Sequence, residues 1–541
     1  MTFAAPRLQA LDGARFPAFN GSLRDLFATL DDLLSCGGDD RLMLDPISRL
    51  NRYGCGPAPL PETWSFASTT ASPISDCAYE RAGLAREELM RSAIAVGLEE
   101  ALESRIQDMR EELKSHLDLP PMGVDVIFSS SGTDSQLHAL FLARSRFGEA
   151  LTTIVVGADQ TGSGTTHTAR GRHFAGFTAH GVTVRKDTAI TGLAGDCVAL
   201  PLADTTGLKP RADADLAMLD AVEAAVARGS SVLLQIMDAS KLGWRAPSDA
   251  CLAEIARRWP EDVLVVVDAC QMRLGRRRLR SYLDRGYPVL ITGSKFFGGP
   301  AFSGALLVPS ELSGVLNRAE GIAPGLRDYA SRSDWPIAWT ALRSQFESRA
   351  NLGQWLRWEA ALEEIAAYYS VPSAFRATAL REFRAGVESL IALSPSLRLV
   401  DPGANATDVD DEEFSEPTIF PFTISRQRRE LSSHECRALH EALSRDVSHI
   451  VGGSRADRDL AARRCLIGQP VRIERLNAKP TAVLRIGIGA RQIIETWSPN
   501  ADVAHQNLQR ELDRVAEAIA KIELLLAYTA SHGFMELSHG A

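Results

Sequence analysis

Two neighbouring stretches decide the fold: DVLVVVDACQ at residues 262–271 and PVLITGSKFFGGPAFSGALLVP at residues 288–309. Each opens on an uninterrupted apolar run of strand length, and each run ends on polar or small residues. Continuous apolar strands are buried on both faces, which is the habit of a parallel sheet covered by helices. The same grammar extends upstream through VDVIF (124–128), TIVVG (153–157) and SVLLQIM (231–237), and ends at GALLVP (304–309). Amphipathic patterns starting near Asp134, Thr166 and Ser248 alternate with these runs. The expectation is an α/β domain with a mainly parallel sheet.

Outward from this block the pattern changes. Leu89, Ala93, Val96, Leu98, Leu102, Ile106 and Met109 recur at helical steps, predicting one long helix over 85–116 that Pro120 and Pro121 terminate. Beyond residue 309 come a helical region near 339–369, the strands PTIFPFTIS and AVLRIGIG, and a last helix over 502–530. The acidic stretch 401–416 reads as a solvated loop. With 541 residues, more than one large domain is expected. The divisions are an N-terminal segment (1–120), a large domain (121–335), a connecting helix (336–375) and a C-terminal domain (376–541).

The bulk numbers exclude more than they select. A formal net charge of -9 argues against nucleic acid as a partner. Strand-sized apolar runs and the absence of a basic-then-apolar start argue against a membrane span or secretory signal. Eight scattered cysteines, none in a CxxC pair, read as reduced thiols of a cytoplasmic protein and argue against a metal site.

Four pieces fall at strand ends, where open α/β sheets bind ligands. Ser129-Ser130-Ser131-Gly132-Thr133-Asp134-Ser135 follows VDVIF and opens a helix. Such a small-residue turn is either an anion cradle or an ordinary N-cap. Asp268 ends its apolar strand with Gln271 three residues on. A carboxylate there needs a partner, whether a ligand or a structural cation. Lys295, between Thr292-Gly293-Ser294 and a glycine-rich turn, is placed to be buried. Its pKa would then fall, and a neutral amine can attack a carbonyl to form a Schiff base. Arg485 centres the apolar strand AVLRIGIG and requires a carboxylate, from substrate or from the protein.

Taken in this order, SSSGTDSQLHAL, VVVDACQ, ITGSKFFGGPAFSGALLVP and AVLRIGIG resemble the fold-type-I pyridoxal 5'-phosphate (PLP) enzymes, and within them the class V aminotransferase and cysteine desulfurase branch. The resemblance spans 124–308 and the neighbourhood of Arg485, and leaves the first 120 residues uncovered. It implies a PLP-dependent transferase-like large domain of the aspartate aminotransferase type, with a mainly parallel seven-stranded sheet. A smaller α/β C-terminal domain and a homodimer go with it. It implies PLP as cofactor and a small-molecule amino acid as substrate. Lys295 would carry PLP as a Schiff base and shuttle protons; Gly132, Thr133 and Asp134 would hold the phosphate, with Thr292 and Ser294 in support. Asp268 would face the pyridine nitrogen, Gln271 and Ser240 the ring hydroxyl, and Arg485 the substrate carboxylate.

Two departures from the branch stand out. The position that stacks on the ring falls on Thr161 in the simple register, or on His167 if the loop is longer. Ser294 stands before the lysine where desulfurases carry histidine. The reaction expected is transamination. A carbon–sulfur lyase or cysteine desulfurase is the alternative, resting on Cys465 in RRCLIGQPV, whose flanking Arg463 and Arg464 would lower the thiol pKa. A small buried apolar cysteine is the competing account of Cys465. A non-catalytic binding or assembly protein that kept the PLP fold is the third reading. Arg52, Tyr53 and Ser68, in a Gly- and Pro-rich segment, either border the substrate entrance or belong to a plain linker.

Overall fold

The computed structural model describes residues 21–204, 207–317, 321–400, 411, 413–474, 480–534 and 537. The N-terminal segment carries a short strand, β1 (Thr63–Phe66), and then two helices, Asp76–Val96 and Leu98–His116. The single helix expected over 85–116 is broken at Gly97, whose φ of +90 closes one helix and opens the next. Both helices are tied to helix Leu352–Ser370 by one buried carboxylate: Glu359 pairs with Arg81 at 3.0 Å and with Arg105 at 2.6 Å.

The large sheet contains β2 (Val124–Ser129), β3 (Leu151–Val156), β4 (Asp196–Leu200), β7 (Ser231–Met237), β8 (Val263–Asp268), β9 (Val289–Thr292) and β10 (Gly304–Pro309). Two dipeptides, β5 (Ala203–Asp204) and β6 (Gly207–Leu208), form a separate ribbon. Strand order is β2-β10-β9-β8-β7-β3-β4. β10 runs antiparallel to both neighbours, and the pairs β9–β8, β8–β7, β7–β3 and β3–β4 are parallel. The seven-stranded, mainly parallel sheet implied by the resemblance is therefore present. Its central strands are buried along nearly their whole length, which is why they read as unbroken apolar runs. β4 escaped the sequence reading because this edge strand, DCVAL, is partly exposed and mixes polar with apolar residues.

The second sheet runs β1-β14-β15-β12-β11, with β11 (Leu397–Leu399), β12 (Ile419–Arg426), β14 (Arg464–Ile473) and β15 (Thr481–Gly487); β13 (Arg429–Glu430) pairs with β12. β1 lies parallel to β14, placing Phe66 beside Ile467. The N-terminal segment is thus a structural part of the C-terminal sheet. Helix Ala501–His532 closes the chain, and no described helix is long and apolar enough to cross a membrane. Within the acidic stretch 401–416, residues 401–410 and 412 lie outside the described residues. The rest is less solvated than expected: Asp411 is buried and accepts from Gly275 N at 2.6 Å, and Glu413 pairs with Arg376 at 2.7 Å.

Candidate active site

Because the strands run parallel, the carboxyl ends of β3, β7, β8 and β9 open on one edge of the sheet. β2 ends there too, with its Ser129 opposite Gly304 at the start of β10. A cavity of about 200 Å³ lies at this edge, lined by the residues that follow each strand and roofed by the N-terminal segment and β14–β15.

After β2 the chain turns into helix Gly132–Phe147, with Ser131 as N-cap accepting from Asp134 N at 3.3 Å. The turn is packed from below. A methyl group on Gly304 would lie 2.3 Å from Ser131 C, so only glycine lets β10 pass beneath it. A methyl group on Gly132 would meet Cys270 Sγ at 2.7 Å and Thr292 Cγ2 at 3.1 Å. The first-turn N–H groups, the Thr133 hydroxyl, Thr292 and Ser294 surround this corner of the cavity. Asp134 does not line it. Its carboxylate turns inward to accept from Ser131 Oγ, and burial beside Asp39 pushes its pKa up to about 7. The expected phosphate role therefore falls to Gly132 and Thr133: the Asp134 side chain faces away from this corner and its backbone N–H donates to Ser131 Oγ.

Asp268, at the end of β8, is buried and accepts from Cys270 N at 3.1 Å; burial raises its pKa. Gln271 donates through Nε2 to Thr69 O at 3.1 Å, while its buried Oε1 has no acceptor's complement, that is, no donor, among the described residues. Lys295, just past β9, is held by the carbonyls of Thr69 and Thr70, each at 3.2 Å from Nζ. Burial brings its pKa down to about 8, with Cys270 and Asp268 opposing and Arg485 assisting.

Arg485 rises from β15 into the roof. Its guanidinium donates to Thr69 Oγ1 at 3.2 Å, to Thr70 Oγ1 at 3.2 Å and to Gln469 O. It is 1% exposed and has no carboxylate partner among the described residues. Burial pushes its pKa down to about 9, which leaves it cationic at neutral pH. Space for it comes from Gly468 on β14, where a methyl group would sit 2.7 Å from Arg485 Nε and 2.6 Å from Thr69 Oγ1. A methyl group at position 468 would accordingly displace the guanidinium.

Besides Asp134, two more expected cofactor-binding residues, His167 and Ser240, lie outside the cavity lining. His167 belongs to the short helix Thr165–Thr168, and its Nδ1 faces Asp187 at 3.2 Å. Thr165 lines the cavity, and two residues along a helix is a rotation of about 200°, which turns the imidazole away. Thr161, the simple-register position, lines the cavity instead. Ser240 is consumed by its own turn, accepting from Leu242 N at 3.1 Å and Trp244 N at 3.0 Å. The next residue, Lys241, reaches the cavity in its place, and burial with Arg485 and Lys295 nearby brings its pKa down to about 7. Cys465 sits on β14 at 1% exposure and away from the lining; burial raises its thiol to about 11, the reverse of the lowering expected from Arg463 and Arg464.

No family model matches the chain, and no curated protein matches it by sequence. Among solved structures it is similar to a NifS-like protein, at 13% identity over 83% of this chain and 98% of that one, with a TM-score of 0.46. It is also similar to a NifS-like protein from Rickettsia africae, at 12% identity over 85% and 99% of the two chains and a TM-score of 0.46. A phosphoserine aminotransferase SerC from Cytophaga hutchinsonii gives 13% identity, 83% and 98% coverage and a TM-score of 0.44.

Sequence reasoning missed Arg41, Thr69 and Thr70, all cavity-lining residues of the N-terminal segment. Arg52 and Tyr53 also line the cavity, whereas Ser68 is buried beneath it, donating to Gly487 O at 3.0 Å. The glycine- and proline-rich composition of this segment was the available signal for a defined path.

Proposed function

We propose that the chain is a PLP-dependent enzyme acting on the α-amino group of an amino acid, and that its reaction is transamination. One observation carries this: a half-buried lysine, a buried carboxylate, an anion cradle and a buried arginine with no carboxylate partner among the described residues converge on one cavity. The residues fit the group. The corner at Gly132 and Thr133 suits the phosphate. Asp268, costly to bury alone, suits a protonated ring nitrogen, and the unsatisfied Gln271 Oε1 suits a ring hydroxyl as donor. When bound, PLP supplies an electron sink for the bonds at the substrate α-carbon.

The protein's own contributions follow. Lys295, with its pKa near 8, would hold the cofactor through its aldehyde carbon and would take and return the substrate α-proton at Nζ. Asp268 would keep a bound ring nitrogen protonated. Arg485 fixes the substrate carboxylate and with it the orientation of the α-carbon. Transamination needs this apparatus alone. The desulfurase alternative rested on Cys465, whose thiol is sealed in the C-terminal core.

The test is a panel of amino acids presented to PLP-loaded protein without an amino acceptor. The reading expects stoichiometric release of a 2-oxo acid, with the amino group retained on the bound cofactor. Sulfide or ammonia release without that retention would overturn transamination in favour of a lyase.

The amine must be neutral to attack the aldehyde, and it loses its proton as pH rises. Covalent uptake of PLP by the apoprotein should therefore speed up with pH and level off above a midpoint near about 8. Stopped-flow absorbance measures this, and a flat profile through that interval would count against Lys295 as the attacking group.

A further inference from the structure

We propose that Arg41 is the cation that receives the cofactor's phosphate, delivered to the cradle by the chain's own N-terminal segment; this rests on the PLP reading above. Arg41 donates through Nη1 to Thr133 Oγ1 at 3.2 Å and through Nη2 to Ser131 Oγ at 3.3 Å. Of the cations that line the cavity, it is the one bonded to the side chains of the anion turn.

Its position is built. Asp39 holds Nε at 2.8 Å and Nη2 at 2.6 Å, and the guanidinium lies 4.7 Å from the Phe302 ring centroid. The preceding backbone is pinned to the large domain: Gly37 O accepts from Ser130 Oγ at 2.8 Å and from Arg357 Nη2 at 2.9 Å. A fork fixed on one edge by a carboxylate presents its remaining edge without a further loss of rotamer freedom.

Charge balance gives the reason for a cation here. A phosphomonoester brings about -1.5 to -2 charges at neutral pH. The helix N-terminus offers only about half a positive charge. Thr133, Thr292 and Ser294 are neutral, while Asp39 and Asp134 are both buried close by. Without Arg41 the corner would set two carboxyl groups against a dianion.

The test compares PLP with pyridoxal, which has the ring and aldehyde but no phosphate. Apoprotein is titrated with each, followed by absorbance, in the wild type, in Arg41→Gln and in Asp39→Asn/Arg41→Gln. The double variant removes both members of the ion pair, so that no carboxylate is stranded, and circular dichroism verifies its fold. Both variants should bind PLP about tenfold or more weakly and bind pyridoxal as the wild type does. An unchanged ratio of PLP to pyridoxal affinity overturns the proposal, as does equal weakening of both, which would mark Arg41 as a purely structural residue. Wild-type protein that takes up neither ligand overturns the PLP reading itself, so the two failures are distinguishable.

Discussion

Lys295→Ala is expected to lose turnover with every amino acid and to hold PLP only as a dialysable ligand. Two separate roles disappear with one amine. The covalent anchor goes first, since no other cavity amine is placed as Lys295 is, with Nζ under the carbonyls of Thr69 and Thr70 and its strand β9 paired to β8 beside Asp268. The proton carrier goes with it, and positioned acid–base groups contribute about 10²- to 10⁴-fold on their own. The measurement is 2-oxo acid formation by the variant against wild type, with absorbance before and after dialysis. Lys241 provides the sharpest internal control, because it lines the same cavity with a still lower pKa of about 7. If Lys295→Ala keeps a borohydride-reducible yellow adduct, the anchor has been misassigned.

The second large effect is expected at Arg485. A buried guanidinium with no carboxylate partner among the described residues is held in place by two threonine hydroxyls and one carbonyl, and neutral acceptors do not compensate its charge. A substrate carboxylate would complete a bidentate pair with this buried guanidinium. Truncating one member of such a pair costs about 2–5 kcal/mol, or roughly 30-fold to several thousand-fold in kcat/KM. Arg485→Gln should show that loss with amino acids and little change with the matching amines, which have no carboxylate to bind. Equal losses for both ligand classes would mean that Arg485 supports the roof and does not touch substrate.

The sheet was legible because its central strands are buried on both faces and so appear as apolar runs without alternation. The same logic explains the omission of β4, where exposure returns polar residues to the pattern. Site positions at the strand ends were legible for a related reason. Asp268, Thr292, Ser294 and Lys295 stand where a buried strand stops, so their places follow from counting along the chain. Ser240 and Lys241 lie beyond a strand end in a turn, and His167 in a one-turn helix, where one or two residues of rotation decide which side chain faces inward. Helical periodicity could not register Gly97, because the apolar stripe continues on both sides of the break while the backbone reverses its sign of φ there. Arg41, Thr69 and Thr70 were out of reach for a different reason. They enter the site from a segment whose pairing partner, β14, lies some four hundred residues away in the chain.

The central claim is tested most directly by reducing PLP-loaded protein with borohydride and mapping the modified peptide by mass spectrometry. A pyridoxyl group on Lys295, absent from Lys241, is the expected result. A label on Lys241, or none on either lysine, would contradict the assignment.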